Sequence, residues 1–355
     1  MHMSEPHFDI LIVGQGLAGS ALAWMLIGAG QRVCVIDDDH VGASSAVAAG
    51  LINPLAGMRF NRRPELDDWL SAADRWYAEL EAGLGQRYFH PLPMLRLFRS
   101  AEQRRFHARR ILEPEAHALL GQSFESGRTP EAVAAPHGGF IQRRTGYVDL
   151  PLLLSGVRDW LSRRGSLRSQ KLEYGQIAVS RDGVTAGELR ARRLIFCDGA
   201  RMRFNPWFAE LPLAPEKGEI LDLRLDGWRP RHIINGAHWL VPLENGQVRF
   251  GATHEHRQID EVPTAAARQQ LLAGLRALLP AAQGAQLIRQ QAGIRPGTSD
   301  RYPLLGHHPE YPGLWIFNGF GARGALTIPW YAQRLTAHLT AAAPLPREAD
   351  IRRFA

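Results

Sequence analysis

Along the first part of the chain, short runs of branched apolar residues alternate with stretches whose apolar positions recur at helical spacing. Residues 8–13 (FDILIV) are an apolar run of the kind a buried parallel strand requires. A helix is predicted over 20–29, and residues 32–37 (RVCVID) predict a second buried strand that ends on an acid. Leu66, Trp69, Leu70, Ala73, Trp76, Tyr77 and Leu80 share one helical face and predict a helix over 66–82. A strand over 95–98 and a helix over 101–112 follow. Asp149 followed by Leu150-Pro151 reads as a helix cap and first turn. Residues 194–197 (LIFC) read as a buried strand running into the tight turn Asp198-Gly199-Ala200.

Between about 211 and 291 the period changes. Residues 220–225, 239–243 and 247–253 alternate as antiparallel strands do, and Asn245-Gly246 supplies a hairpin signal between the last two. A helix over 264–279 would lie on that sheet. The end of the chain returns to the opening style, with a strand over 314–318, a glycine loop over 319–324 and a helix over 325–342. The predicted class is α/β. A Rossmann-type nucleotide domain (1–85, 146–210 and 292–350) is interleaved with a smaller α+β domain (86–145 and 211–291) built on a mixed, largely antiparallel sheet.

The glycines of the first turn carry the chemistry. Gly14, Gly16 and Gly19 stand between strand and helix, where they permit a tight turn, close approach to a pyrophosphate and close helix–strand packing. The uncapped amides at the helix start around Leu17 and Ala18 favour a phosphate. Asp37, followed by Asp38, lies where a carboxylate can accept ribose hydroxyls. The second glycine loop, Gly319-Phe320-Gly321-Ala322-Arg323-Gly324, would aim a helix start at the pyrimidine end of a flavin, where reduction places negative charge. Arg295 can grip a carboxylate through two parallel hydrogen bonds, although as a residue type it also suits a structural ion pair.

Composition changes this picture little. A 355-residue chain with 45% hydrophobic and 22% charged residues is long enough for two cooperating domains and shows no sign of disorder. The net charge of +7 rests almost wholly on arginine, since Lys171 and Lys217 are the only lysines; it predicts attraction to anions, not a nucleic-acid groove. Cys34 and Cys197 sit in apolar strands and read as buried thiols of a reducing compartment. His254 and His256 share a strand face but lack a third ligand, so no metal is expected. The charge-poor stretch 10–30 is long enough to cross a bilayer, but its glycines and strand–turn–helix pattern argue against a span. Residues 1–9 lack a secretory leader's basic region, so the expected location is cytoplasmic.

Gly14 to Gly19, Asp37, Ser44-Ser45 through Gly50-Leu51-Ile52-Asn53-Pro54, Gly146-Tyr147-Val148-Asp149, Cys197 to Ala200, Lys217-Gly218-Glu219, 248–253, Ile294-Arg295-Pro296 through Gly306 and the last glycine loop occur in a joint order. In that order the chain resembles the D-amino acid oxidase family of FAD enzymes, particularly its glycine oxidase-like and sarcosine oxidase-like branch. The resemblance implies an FAD held non-covalently, since neither cysteine lies near the C-terminal loop. Gly14, Gly16, Leu17, Ala18, Gly19, Asp37 and Asp38 would hold the ADP half. Ser44, Ser45, Gly50, Leu51, Asp198, Gly199, Gly319, Gly321, Ala322, Arg323 and Gly324 would follow the pyrophosphate and the ring. Trp239 and His254 would face the substrate, with Arg295 on its carboxylate and Arg323 a second candidate.

The activity so implied is oxidation of a carbon–nitrogen bond in a small amine or amino acid. It proceeds by hydride transfer to the flavin, hydrolysis of the imine and reoxidation by O2 to H2O2, with no side chain required as acid or base. The loop Ala322-Arg323-Gly324 also looks like that of the oxidase domain of a bifunctional tRNA wobble-uridine modifying enzyme, which opens an alternative RNA substrate. A dehydrogenase passing electrons to a quinone is a further alternative.

Overall fold

The computed structural model describes residues 7–39, 43–244, 246–280 and 284–354. Strand Phe8–Val13 lies at the centre of the parallel part of an eight-stranded sheet, with Val33–Asp37 on one side and Leu189–Phe196 on the other; Ile177–Ser180, Gly183–Ala186 and Leu304–His307 add antiparallel pairs. Leu167–Ser169 and Leu314–Asn318 extend the parallel part at either end. Ile10, Leu11, Ile12, Val35, Leu194 and Ile195 are fully buried, as a sheet covered on both faces requires. Helix Leu17–Gly28 starts three residues earlier than its apolar pattern suggests, because the turn uses only Gly14 to Gly16, with Gly16 as the extended N-cap.

A second sheet of eight strands runs Gln286–Thr298, Leu213–Arg224, Gln247–Gly251, Trp239–Pro242, Ile233–Asn235, Met94–Leu97, Gly139–Gln142 and Leu120–Phe124. Every neighbouring pair is antiparallel except Ile233–Asn235 with Met94–Leu97. Helix Ala265–Leu278, capped by Thr264, packs Leu271 and Leu275 against this sheet. Leu51–Ile52, Gly146–Val148 and Phe89–Pro91 form a small third sheet. Within the expected hairpin, Leu243 N bonds Gln247 O, while Asn245 lies outside the described residues.

Strand Gln286–Thr298 has no counterpart in the sequence pattern. Its two glycines, Pro296 and run of glutamines read as a loop, yet it pairs with Leu213–Arg224 from end to end and crosses the boundary expected near 291–292. It is the edge of the sheet, where a proline's missing N–H leaves no ladder bond unmade.

Helix Gly324–Ala341 carries Pro329 inside it. Proline has no N–H to give to the carbonyl four residues back, which is Ala325. The Tyr77 hydroxyl, from helix Leu66–Leu84, donates to that carbonyl at 2.7 Å instead. Tyr77 is fully buried, and burial pushes its phenol far above the ordinary range, so it remains a donor at any working pH. Among the described residues no helix is long and apolar enough to cross a membrane.

Tyr77→Phe is expected to leave the Ala325 carbonyl unpaired and to cost about 1–3 kcal/mol. Urea unfolding measures this as a lower midpoint at unchanged slope; an unchanged midpoint would show that another donor takes the tyrosine's place.

Candidate active site

Backbone crowding shapes the first turn. A methyl group on Gly19 would overlap the Gly14 carbonyl oxygen, and one on Gly14 (φ +99°) would lie 2.6 Å from Cys197 O. The helix therefore begins hard against the strand ends, with no side chain capping it. Leu17 N donates to Ser45 Oγ at 3.1 Å, which ties the start of short helix Ser44–Val47 to the same turn. Gly50 (φ +63°) turns the chain where a Cβ would strike Val148 O, and so leads it into strand Leu51–Ile52.

One cavity of about 490 Å³ follows these elements. At one end it is lined by Gly14, Gly16, Leu17, Ala18, Asp37 and Asp38, and in its middle by Ser44, Ser45, Gly50, Leu51, Asp198 and Gly199. At the other end lie Trp239, His254, Arg295 and the loop Gly321, Ala322, Arg323 and Gly324. The volume falls in the range of cofactor and small-ligand sites. Of the residues expected to form the site, Gly19 and Gly319 do not line the cavity. Gly19 packs behind the turn, and Gly319 (φ +81°) sits against Thr298 and Leu304.

The dinucleotide end fits an adenosine diphosphate. The helix start opens uncapped amides onto the cavity, where a phosphate would be held by N–H groups and the helix dipole. Asp37 Oδ2 accepts from Gln15 N at 2.7 Å, while Oδ1 accepts from Arg158 at 2.9 Å and Asp39 N at 2.8 Å. Of the roughly four lone-pair directions of a carboxylate, one on Oδ2 is left for a ribose hydroxyl. Asp38 pairs with Arg201 at 3.4 Å. Arg158 and Gln15 were not anticipated. Arg158 comes from helix Leu150–Arg163, and only the pairing of Leu167–Ser169 beside Val33–Asp37 brings that helix's end to Asp37.

Asp198 is the hub of the middle. It accepts from Asn318 at 2.9 Å, Tyr174 at 3.0 Å and Asn205 at 3.2 Å, and so fastens the ends of the parallel strands to one another. Burial raises its carboxyl to about 6 despite those donors. Cys197 lines the same region as a free, buried thiol, and burial raises its pKa; Cys34 is likewise free and buried.

At the far end, Arg295 stands opposite Glu216 across the pair of strands Gln286–Thr298 and Leu213–Arg224. Its guanidinium lies over Gly218, where a Cβ would come 2.5 Å from Cζ, and donates to Glu216 Oε2 at 2.6 Å. Glu216 Oε1 is 2.7 Å from His254 Nδ1 and 3.4 Å from His256 Nε2. Burial alone would raise this carboxyl, but the hydrogen bond from His254 and the charges of Arg295 and His254 hold it at about 2. The two histidines thus share a carboxylate. Trp239 packs on Ile220, Ala252 and Val47 at the chamber wall. The Arg323 guanidinium lies 5.5 Å from the Trp69 ring centroid and donates to Arg301 O at 3.1 Å.

A parallel sheet whose glycine turn opens a cavity shared with an antiparallel sheet defines a dinucleotide-dependent enzyme of the α/β class. Residues 9–338 match the family described as FAD dependent oxidoreductase (DAO), and the chain belongs to it. It is 25% identical to a glycine oxidase of Pseudomonas putida, over 95% of this chain and 96% of that one. It is 27% identical to a tRNA 5-methylaminomethyl-2-thiouridine biosynthesis bifunctional protein of an Azoarcus species, over 96% of this chain but 58% of that one. In fold it resembles the glycine oxidase of Geobacillus kaustophilus, with a TM-score of 0.81, 22% identity and 95% of each chain covered. The protein is an FAD-dependent oxidoreductase.

Gly19→Ala is expected to push the helix off the Gly14 carbonyl and abolish flavin retention. Flavin absorbance per polypeptide after gel filtration is the measurement, and full retention would show that the turn tolerates the shift.

Proposed function

We propose that this enzyme oxidises the carbon–nitrogen bond of an amine or amino acid. The observation that carries the reading is the single cavity that runs from the dinucleotide turn to Arg295, Trp239 and His254. When bound, the flavin supplies the hydride acceptor. The chain's task is then to hold the reacting carbon against the ring, within about 3–3.5 Å, and to keep water out. Arg295 would orient a substrate carboxylate from its place over Gly218, and Trp239 would wall the chamber on its apolar side. His254, with 64% of its side chain exposed, would stand at the rim. The glycine oxidase similarity of Pseudomonas putida supports a small amino acid as substrate.

Glu216 conditions the role of Arg295. A carboxylate approaching Arg295 meets a guanidinium whose charge is already offset, so Glu216 sets how strongly the substrate's acid is read. Oxygen is the acceptor in this reading, the flavin is dissociable, and two buried free thiols support a cytoplasmic location. An alternative, a modified tRNA wobble uridine as substrate, draws on the Azoarcus similarity; salt-sensitive tRNA binding would favour it.

Anaerobic mixing with a panel of amines and amino acids is expected to bleach the flavin with at least one of them, and admitting air should restore the colour with release of peroxide. A flavin that no amine bleaches would overturn the proposal. In Glu216→Gln the carboxylate competitor is gone, so simple carboxylates should bind about tenfold more tightly, the worth of one charge-assisted hydrogen bond. Flavin spectral titration reads this, and weaker binding in the variant would count against Arg295 as the anchor.

A further inference from the structure

The substrate sheet shows one face to the cavity, and its register says which residues share that face. Arg96 pairs with Asn235, Asn235 with Trp239, Trp239 with Gly251, and Gly251 with Ile220. From Ile220, alternate residues lead to Gly218 and Glu216, and Glu216 pairs with Arg295. Arg96 and Arg295 therefore stand on the same face, in strands separated by four others. Both line the one cavity, together with Arg99, Gln103 and Asn235.

Their charges are treated differently. Arg295 is offset by Glu216 at 2.6 Å. Arg96, 5% exposed, donates only to neutral acceptors: Leu55 O at 3.0 Å, Asn53 Oδ1 and Gly57 O at 3.3 Å, and Gln142 Oε1 at 3.4 Å. The Phe60 ring lies 5.1 Å away. Arg99 is exposed, and its Nε is fixed to Gly236 O at 2.7 Å. Among the described residues no carboxylate pairs with either arginine. Burial, and then the charge of Arg99, pull Arg96 down to about 9, with no acid opposing them. Two neighbouring guanidinium groups, one of them buried, are costly without a counter-charge, and a ligand's anion can provide it.

We propose that Arg99, backed by Arg96, forms a second anion subsite at the end of the chamber remote from Arg295, and that it takes a distal carboxylate or phosphate group of the amine substrate. This rests on the amine-oxidising reading given above and narrows its substrate class to amines with an anionic group on an extended chain. Asn53 and the turn at Gly57 are positioned by Arg96, which makes that residue a support as well as a charge.

The test is calorimetric binding to the FAD-loaded enzyme, without turnover, so it can be read even if no amine is oxidised. Glutarate, adipate and pimelate are compared with their monoamides, and with ω-phosphono acids of the same lengths. At least one dianion should bind ten times or more tightly than its monoamide, well beyond the twofold statistical gain of a symmetric diacid. That ratio should fall to the statistical value of about two in Arg99→Gln, a substitution at an exposed position. A larger ratio for the phosphono acids would assign the subsite to phosphate, and a larger one for the diacids to carboxylate. A ratio of about two or less in the unaltered enzyme, or a tenfold ratio that survives Arg99→Gln, would overturn the proposal.

Discussion

Backbone meets backbone at Gly14, Gly19 and Cys197, and the rest of the molecule is arranged around that approach. Only where side chains are absent can a helix start press against the ends of two parallel strands, with its first turn facing the cavity. Ser45 then ties the next segment to the same point, and Asp198 locks the neighbouring strand ends through Asn318 and Tyr174. Along this line main chain, more than side chains, shapes the cavity.

The two sheets divide the work. The parallel strands end in glycine turns that line one part of the cavity, whereas the largely antiparallel sheet presents alternate side chains to another. That second sheet is charged unevenly. Glu216, His254 and Arg295 form a nearly closed network at one end, while two arginines at the other end meet only amides and carbonyls. Selectivity in such a chamber comes from where net charge remains, which counting arginines does not reveal.

Much of the nucleotide half was legible in the sequence because its demands are local. A strand, three glycines, a helix and an acid fall within about thirty residues, and each has a steric or electrostatic reason for its position. The chamber was far less legible. Strand Gln286–Thr298 hides behind Pro296 and its glutamines, so the pairing of Glu216 with Arg295 had no sequence signal. Ile233–Asn235 is only three residues long, yet it brings Arg96 into the face that holds Trp239. Arg158 likewise reaches Asp37 across 121 positions. Arg323 lines the cavity as its motif suggests, while its contact with the Trp69 ring, 5.5 Å from the centroid, had no sequence signal.

Interleaving the domains also imposes an order in time. Residues far apart in the chain line the same cavity, from Val13 through Ile328. At ribosomal speeds of about 5–20 residues per second, the first glycine turn waits roughly 15–60 seconds for the closing loop to be made. Until then the Leu314–Asn318 edge of Leu189–Phe196 lacks its neighbour, and the nascent polypeptide exposes apolar strands that flavin cannot yet help to cover. Chaperones that shield the early segments, or rapid synthesis of the closing ones, would therefore favour folding of this protein.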